Sequence, residues 1–186
     1  MRASSLLALA FASAAGCGGL DSDMVGIYEI TAWTDNPASC DSEGPSVIEN
    51  QFETWFYLRV DDLFGHEFLN APNCADLAEC ETAAADDTIT FGSGWLFETG
   101  SDSKGWRGTT SSASVGLGEQ CTGGVTEHLL TSAGDGIVRI ESRERMAQPF
   151  APDSEGFCDT DAAAEAAEGQ PCIRLEVVTA TRRAEL

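Results

Sequence analysis

Seven cysteines and two histidines carry the widest chemical repertoire in this 186-residue chain. A thiol can be alkylated, oxidised to a disulfide, or deprotonated to hold a soft metal. Six of the cysteines are Cys40, Cys74, Cys80, Cys121, Cys158 and Cys172. Their spacing is irregular and no CxxC pair occurs, so a thiolate metal site is not expected. An even set of this kind suits three disulfides in an exported protein, with the connectivity left open. Cys158 and Cys172, if paired, would close a loop of about 15 residues, worth roughly 3 kcal/mol. The histidines are His66 and His128. Glu127-His128 is a carboxylate–imidazole neighbour pair, and adjacent side chains on a strand face opposite ways. That pair is therefore no catalytic dyad. GxSxG, HExxH and a phosphate-binding glycine loop are all missing from the sequence. The expectation is a protein that is not an enzyme, with no metal and no cofactor. Asp153, Glu155, Asp159 and Asp161 offer hard oxygen ligands for calcium, but their spacing is not that of an EF-hand. A solvated loop is the expected setting for them.

The seventh cysteine, Cys17, has a different context. Arg2 supplies a positive charge, and Ala3 to Ala15 form an apolar run around Leu6, Leu7, Leu9 and Phe11. A membrane-spanning helix needs about 20 residues. A run this short fits a secretory signal peptide followed by small residues at the cleavage site. Ala14-Ala15-Gly16-Cys17 resembles the lipobox of bacterial lipoproteins, with Ala14 where Leu is usual. The resemblance covers the first 17 residues. It implies a diacylglycerol on the Cys17 thiol, cleavage before Cys17, and acylation of the new amino group. Several acyl chains give stable anchoring where one is marginal. Gly18 is not Asp, which by analogy with the enterobacterial sorting rule implies the outer membrane. The expected organisation is a signal peptide over 1–16, a lipidated tether over 17–23, and one β-barrel domain over 24–186. The polar tether can reach about 20 Å when extended.

Charge narrows the partners. Ten Lys and Arg face 31 Asp and Glu, for a net charge of −21. Such a surface repels phosphate backbones, so no nucleic acid is expected. Electrostatic docking on anionic lipid is disfavoured for the same reason. The hydrophobic share of 42% is enough for a packed core of one domain.

Strand patterns fill the remainder. In FETWFYLRV, Phe52, Phe56, Leu58 and Val60 share one face, and Trp55, Tyr57 and Arg59 share the other. This period of two predicts a strand. In IRLEVVTATRR, Ile173, Leu175, Val177 and Thr179 take one face, and Arg174, Glu176, Val178 and Arg182 the other. Phe56, Leu58, Ile140, Leu175 and Val177 are expected in one core. Asp135-Gly136 between two strand-like runs predicts a type I′ hairpin. Further strands are predicted over Val25–Trp33, His66–Asn70, Thr88–Glu98, Trp106–Val115, Gly124–Thr131 and Ile137–Arg145. Two insertions suit short helices, one capped by Asn73 and running to Ala85, the other capped by Asp161 and ended by Gly169. On a single straight helix Cys74 and Cys80 would stand too far apart to bond.

Eight strands in a meander predict an all-β antiparallel barrel with two helical insertions, with a β-sandwich as the alternative. The pattern resembles that of the lipocalins. Gly26-Ile27-Tyr28 opens the first strand where lipocalins have Gly-x-Trp. Arg182 and Arg183 follow the last strand, where lipocalins set an Arg against that Trp. The tract Thr109 to Ser114 is small on both faces, and Trp95 and Trp106 on neighbouring strands could floor a cavity behind it. The expected function is that of a lipid-anchored envelope protein that binds a small apolar ligand or a protein partner. The alternative is an interaction lipoprotein with a filled core. The sequence carries no signal for oligomeric state.

Overall fold

The computed structural model describes residues 22–86, 94–115 and 120–186. Among the described residues are nine antiparallel strands and two short α-helices. The strands are β1 (Gly26–Asn36), β2 (Trp55–Leu63), β3 (His66–Cys74), β4 (Gly94–Phe97), β5 (Thr99–Ser101), β6 (Gly105–Val115), β7 (Cys121–Gly134), β8 (Ile137–Met146) and β9 (Arg174–Ala184). The helices are α1 (Leu77–Ala84) and α2 (Thr160–Ala167).

Neighbours run in the order β4-β3-β2-β1-β9-β8-β7-β6-β5. Only Glu98 separates β4 from β5. The first pairs with β3 and the second with β6, so the segment 94–101 closes the sheet into a nearly complete barrel. This split accounts for nine strands where eight are expected. Gly108 permits the closure, because a Cβ there would overlap the Leu96 carbonyl oxygen. The first part of the predicted strand Thr88–Glu98 lies outside the described residues.

The two ends of the barrel differ. At one, which we call the turn end, connections are tight. Phe64-Gly65 joins β2 to β3, and Asp135-Gly136 joins β7 to β8, with positive φ at all four residues. The opposite end, the stapled end, carries the long connections after β1, β3 and β8. All three disulfides lie there: Cys40–Cys172, Cys74–Cys80 and Cys121–Cys158. Cys158 and Cys172 are thus not partners. Each reaches back to an earlier strand or loop, because the chain before and after α2 passes different walls of the barrel. Cys74 ends β3 instead of lying in the helix, which Asp76 caps in place of Asn73. A strand end and a helix turn bring the two Cα atoms to 5.4 Å, within bonding reach. Asp159, not Asp161, caps α2 by accepting from the Asp161 and Ala162 amides.

Inside the barrel, Met24, Tyr28, Ile30, Phe56, Leu58, Leu69, Phe97, Trp106, Leu130, Val138, Ile140, Val178 and Ala180 form one apolar core. Tyr28 stacks on Phe56 at 5.3 Å. The Arg182 guanidinium lies over the Tyr28 ring at 5.9 Å, and its Nε donates to the phenol oxygen at 3.3 Å. Outside the barrel, α1 covers a second cluster of Ile27, Tyr57, Cys74 and Cys80. Two face assignments need correcting. Leu175 and Val177 are buried but sit outside the barrel, level with Arg143 and Glu141 of β8. Val178 and Ala180 hold the inner positions instead. The loop 37–47 lies over that outer wall, with Glu43 on Arg139 at 2.9 Å, so β9 is apolar on both faces and alternation alone cannot orient it. Phe52 precedes β2 and is 99% exposed.

Candidate functional site

The inner wall changes character along the barrel axis. Ile140, Ser142 and Glu144 follow one another on β8; Leu130, His128 and Thr126 on β7; Val178, Glu176 and Arg174 on β9. The register sets these series side by side, Ile140 against Leu130 and Val178, Ser142 against His128 and Glu176, Glu144 against Thr126 and Arg174. The core therefore grades from apolar at the turn end to polar at the stapled end. A chamber of about 110 Å³ occupies the polar part, walled by the last two side chains of each series and by Trp95.

Hydrogen bonds fix most of this lining. His128 Nδ1 pairs with Ser142 Oγ at 2.8 Å, and its Nε2 pairs with Thr110 Oγ1 at 3.1 Å. Burial lowers the imidazole to about 4, so it is neutral at physiological pH. Glu127 turns outward to Arg145 at 2.6 Å, as the alternation demands. Arg174 donates from Nε and Nη2 to the two oxygens of Asp35, at 2.8 and 2.9 Å. The same guanidinium lies 3.8 Å from both Glu144 and Glu176. Arg174 is therefore a hub for three carboxylates and not an ordinary surface residue. Burial pushes the Glu176 carboxyl up, and the Trp33 indole and Arg174 offset part of that shift. The tract 109–114 helps line the inner wall through Thr110 and Ser112, opposite Thr126 and Gly124.

Trp95 and Trp106 belong to one apolar core, and of the two Trp95 lines the chamber. Trp95 borders the chamber, packs edge-on against Phe56 at 5.5 Å, and lies 6.3 Å from Trp33 at a tilt of 51°. Trp106 lies in the apolar core at the turn end, where its Nε1 donates to Asp102 at 2.7 Å. Asp102 also accepts from Ser22 Oγ at 2.7 Å and from the Asp23 amide at 2.6 Å. These bonds outweigh desolvation and hold its carboxyl below the usual range. They clip the start of the described chain across the turn end.

Chemically, the chamber holds a neutral imidazole, two hydroxyls on its nitrogens, and a carboxylate group neutralised in part by one arginine. Among the described residues no cluster of three metal-ligating side chains occurs. Asp153 and Asp159 spend oxygens on backbone amides of their own loop and of α2. Cys17 lies outside the described residues.

The outer rim of the stapled end is apolar at several points. Phe52 and Phe157 are exposed, as are Val115, Met146 and Ile173. At the turn end the exposed large hydrophobics are Leu63, Phe64 and Leu186. The sequence reading missed the chamber, whose signal was present as the shift from apolar to polar along one face of three successive strands. No family model, curated protein or solved structure matches the chain.

Proposed function

We propose that the protein is a lipid-anchored barrel of the bacterial cell envelope, tethered through Cys17 in the outer membrane, and that it presents its stapled end to a protein partner. One observation carries this reading. The described chain begins at the turn end, clipped to Asp102, while the disulfides and most exposed large hydrophobics lie at the opposite end. A tether at the turn end leaves the stapled end facing away from the membrane. Covalently fixed loops bearing Phe52 and Phe157 offer aromatic anchors at low ordering cost, as binding hot spots require.

The interior supports a filled core over a small apolar ligand. Ligand pockets usually span roughly 300–1,000 Å³ and are mostly apolar. The chamber beside Trp95 is much smaller, about 110 Å³, and its walls are hydroxyl, imidazole, carboxylate and guanidinium groups. The lipocalin-like architecture does not alter this, because fold does not fix function.

Two measurements test the proposal. Cys17→Ser should move the protein out of the detergent phase and off membranes; unchanged partitioning refutes the anchor. A photo-crosslinking amino acid placed at Phe52 or Phe157 in living cells should give one adduct of discrete mass, and the same probe at Ser132 should give none. Absence of adducts at both aromatic positions refutes the docking role.

A further inference from the structure

The β2–β3 hairpin has an unusual tip. Leu63 pairs with His66, which leaves a two-residue turn of Phe64 and Gly65. Phe64 has φ of 56° and Gly65 of 84°, the left-handed geometry of a type I′ turn. The β7–β8 hairpin at the same end has the same geometry, with Asp135 at 51° and Gly136 at 72°. Asp-Gly is a favoured pair there, whereas an aromatic residue is not. Phe64 is also 93% exposed, so its ring adds nothing to the fold. An aromatic side chain is kept where both backbone and solvent disfavour it. Such an outlier points to a role outside the fold.

Position supplies the occupant. Gly26 of β1 pairs with Leu58, so β2 continues five residues beyond the start of β1. At about 3.3 Å per residue, the tip stands roughly 16 Å past that point. It projects from the end where the described chain begins, at Ser22. Ser22 is five residue steps from Cys17, a span of at most about 18 Å. The projection, measured along the strand, falls within the reach of the tether. Beside the tip, Leu63, Phe68 and Leu96 line an open apolar cleft. Glu67 and Glu98 flank it, and Asp62 accepts from the Gly65 amide at 3.0 Å. An apolar tip in an acidic collar fits an uncharged lipid interface and is repelled by anionic headgroups.

We infer that Leu63 and Phe64 form a second membrane contact, dipping into a zwitterionic bilayer beside the Cys17 anchor and fixing the tilt of the barrel. This rests on the proposed lipid anchor. An anchor alone leaves the domain free to swing; a second apolar point holds the turn end against the membrane and the stapled end away from it.

The test uses mature protein isolated from membranes, with the lipid on Cys17 verified by mass. It is reconstituted into phosphatidylcholine vesicles with or without brominated acyl chains. Phe64→Trp should show a blue-shifted component that brominated lipid quenches, beyond the quenching of the parent protein. Phe157→Trp, at the stapled end, should show no added quenching. Because Phe64 is exposed, the Trp variant keeps the parent fold, checked by an unchanged melting temperature. Flotation with vesicles but no added quenching at position 64 overturns this contact and leaves the anchor standing. Equal quenching at positions 64 and 157 also overturns it. A blue shift that needs no vesicles and grows with protein concentration assigns the tip to a second copy and overturns the membrane contact. Absence of lipid on Cys17 overturns the anchor, and this inference with it.

Discussion

The two halves of the barrel are held together by different physics. Towards the turn end, close-packed Tyr28, Phe56, Leu58, Leu130 and Ile140 fill the interior, and two-residue turns fix the register. Towards the stapled end the same strands face inward with His128, Ser142, Glu144, Arg174 and Glu176. Polar side chains bury less apolar area and demand partners, so they contribute less to stability than the core below. All three disulfides lie at that weaker half. Covalent links stand where apolar packing runs out, as in small secreted domains that cannot build a sufficient core.

Three measurements can break or sharpen this contrast. The largest effect belongs to Cys40–Cys172, which closes 132 residues. Replacing both cysteines by alanine should lower stability by about 5 kcal/mol in the chain-entropy model. Chemical denaturation at neutral pH gives the number. Hydrogen exchange should show added opening near residues 37–47 and 170–176 and little change around Leu130. Equal loosening of both ends would erase the distinction between the halves.

The second effect concerns the buried imidazole. Unfolded His128 takes up a proton near 6.5, and folded His128 only near 4. Between those values the unfolded state binds more protons, so stability falls as pH falls, by about 1.4 kcal/mol per pH unit. The full window is worth roughly 3 kcal/mol. His128→Gln retains hydrogen bonding to Ser142 and should flatten this slope relative to the parent. Parallel pH profiles for the two proteins would show that the chamber is wetter than its hydrogen bonds imply.

The smallest effect lies at the turn end. Phe64→Asn places a residue suited to left-handed geometry at the hairpin tip and removes no buried contact. It should raise stability by about 1 kcal/mol, read from the denaturation midpoint. A loss of stability would mean that the Phe64 ring packs in solution, and the outlier would need no role beyond the fold.

The fold was legible where one face of a strand is apolar and the other is not. Phe56 and Leu58 are read correctly as inward, and Asp135-Gly136 as a turn. Legibility failed where a second layer covers the outside. Leu175 and Val177 are buried outside the barrel, and only the later placement of loop 37–47 decides which face of β9 looks inward. The Phe64-Gly65 turn went unread because Phe carries no turn signal. Disulfide pairing was unreadable for another reason: the Cys40–Cys172 and Cys121–Cys158 partners are set by which wall a loop crosses, a property of the closed barrel, and Cys74–Cys80 by a strand that runs to Cys74 where a helix is expected. The chamber lay between these cases. Its residues alternate correctly on β7, β8 and β9, but their convergence needs the register of three strands at once.

Cys40 follows β1 by only four residues, and its bond to Cys172 joins the first strand to the segment leading into the last. This matters if the molecule is pulled. Tension entering at Met24 runs lengthwise along β1, whose hydrogen bonds to β2 and β9 would all have to slip together instead of opening one by one. At the far end the strain passes through sulfur to Cys172, and along the chain before it to Cys158 and so to β7. A continuous covalent line thus crosses the barrel from one pole to the other. Load applied between the two poles would be shared between that covalent line and the sheared hydrogen bonds of β1.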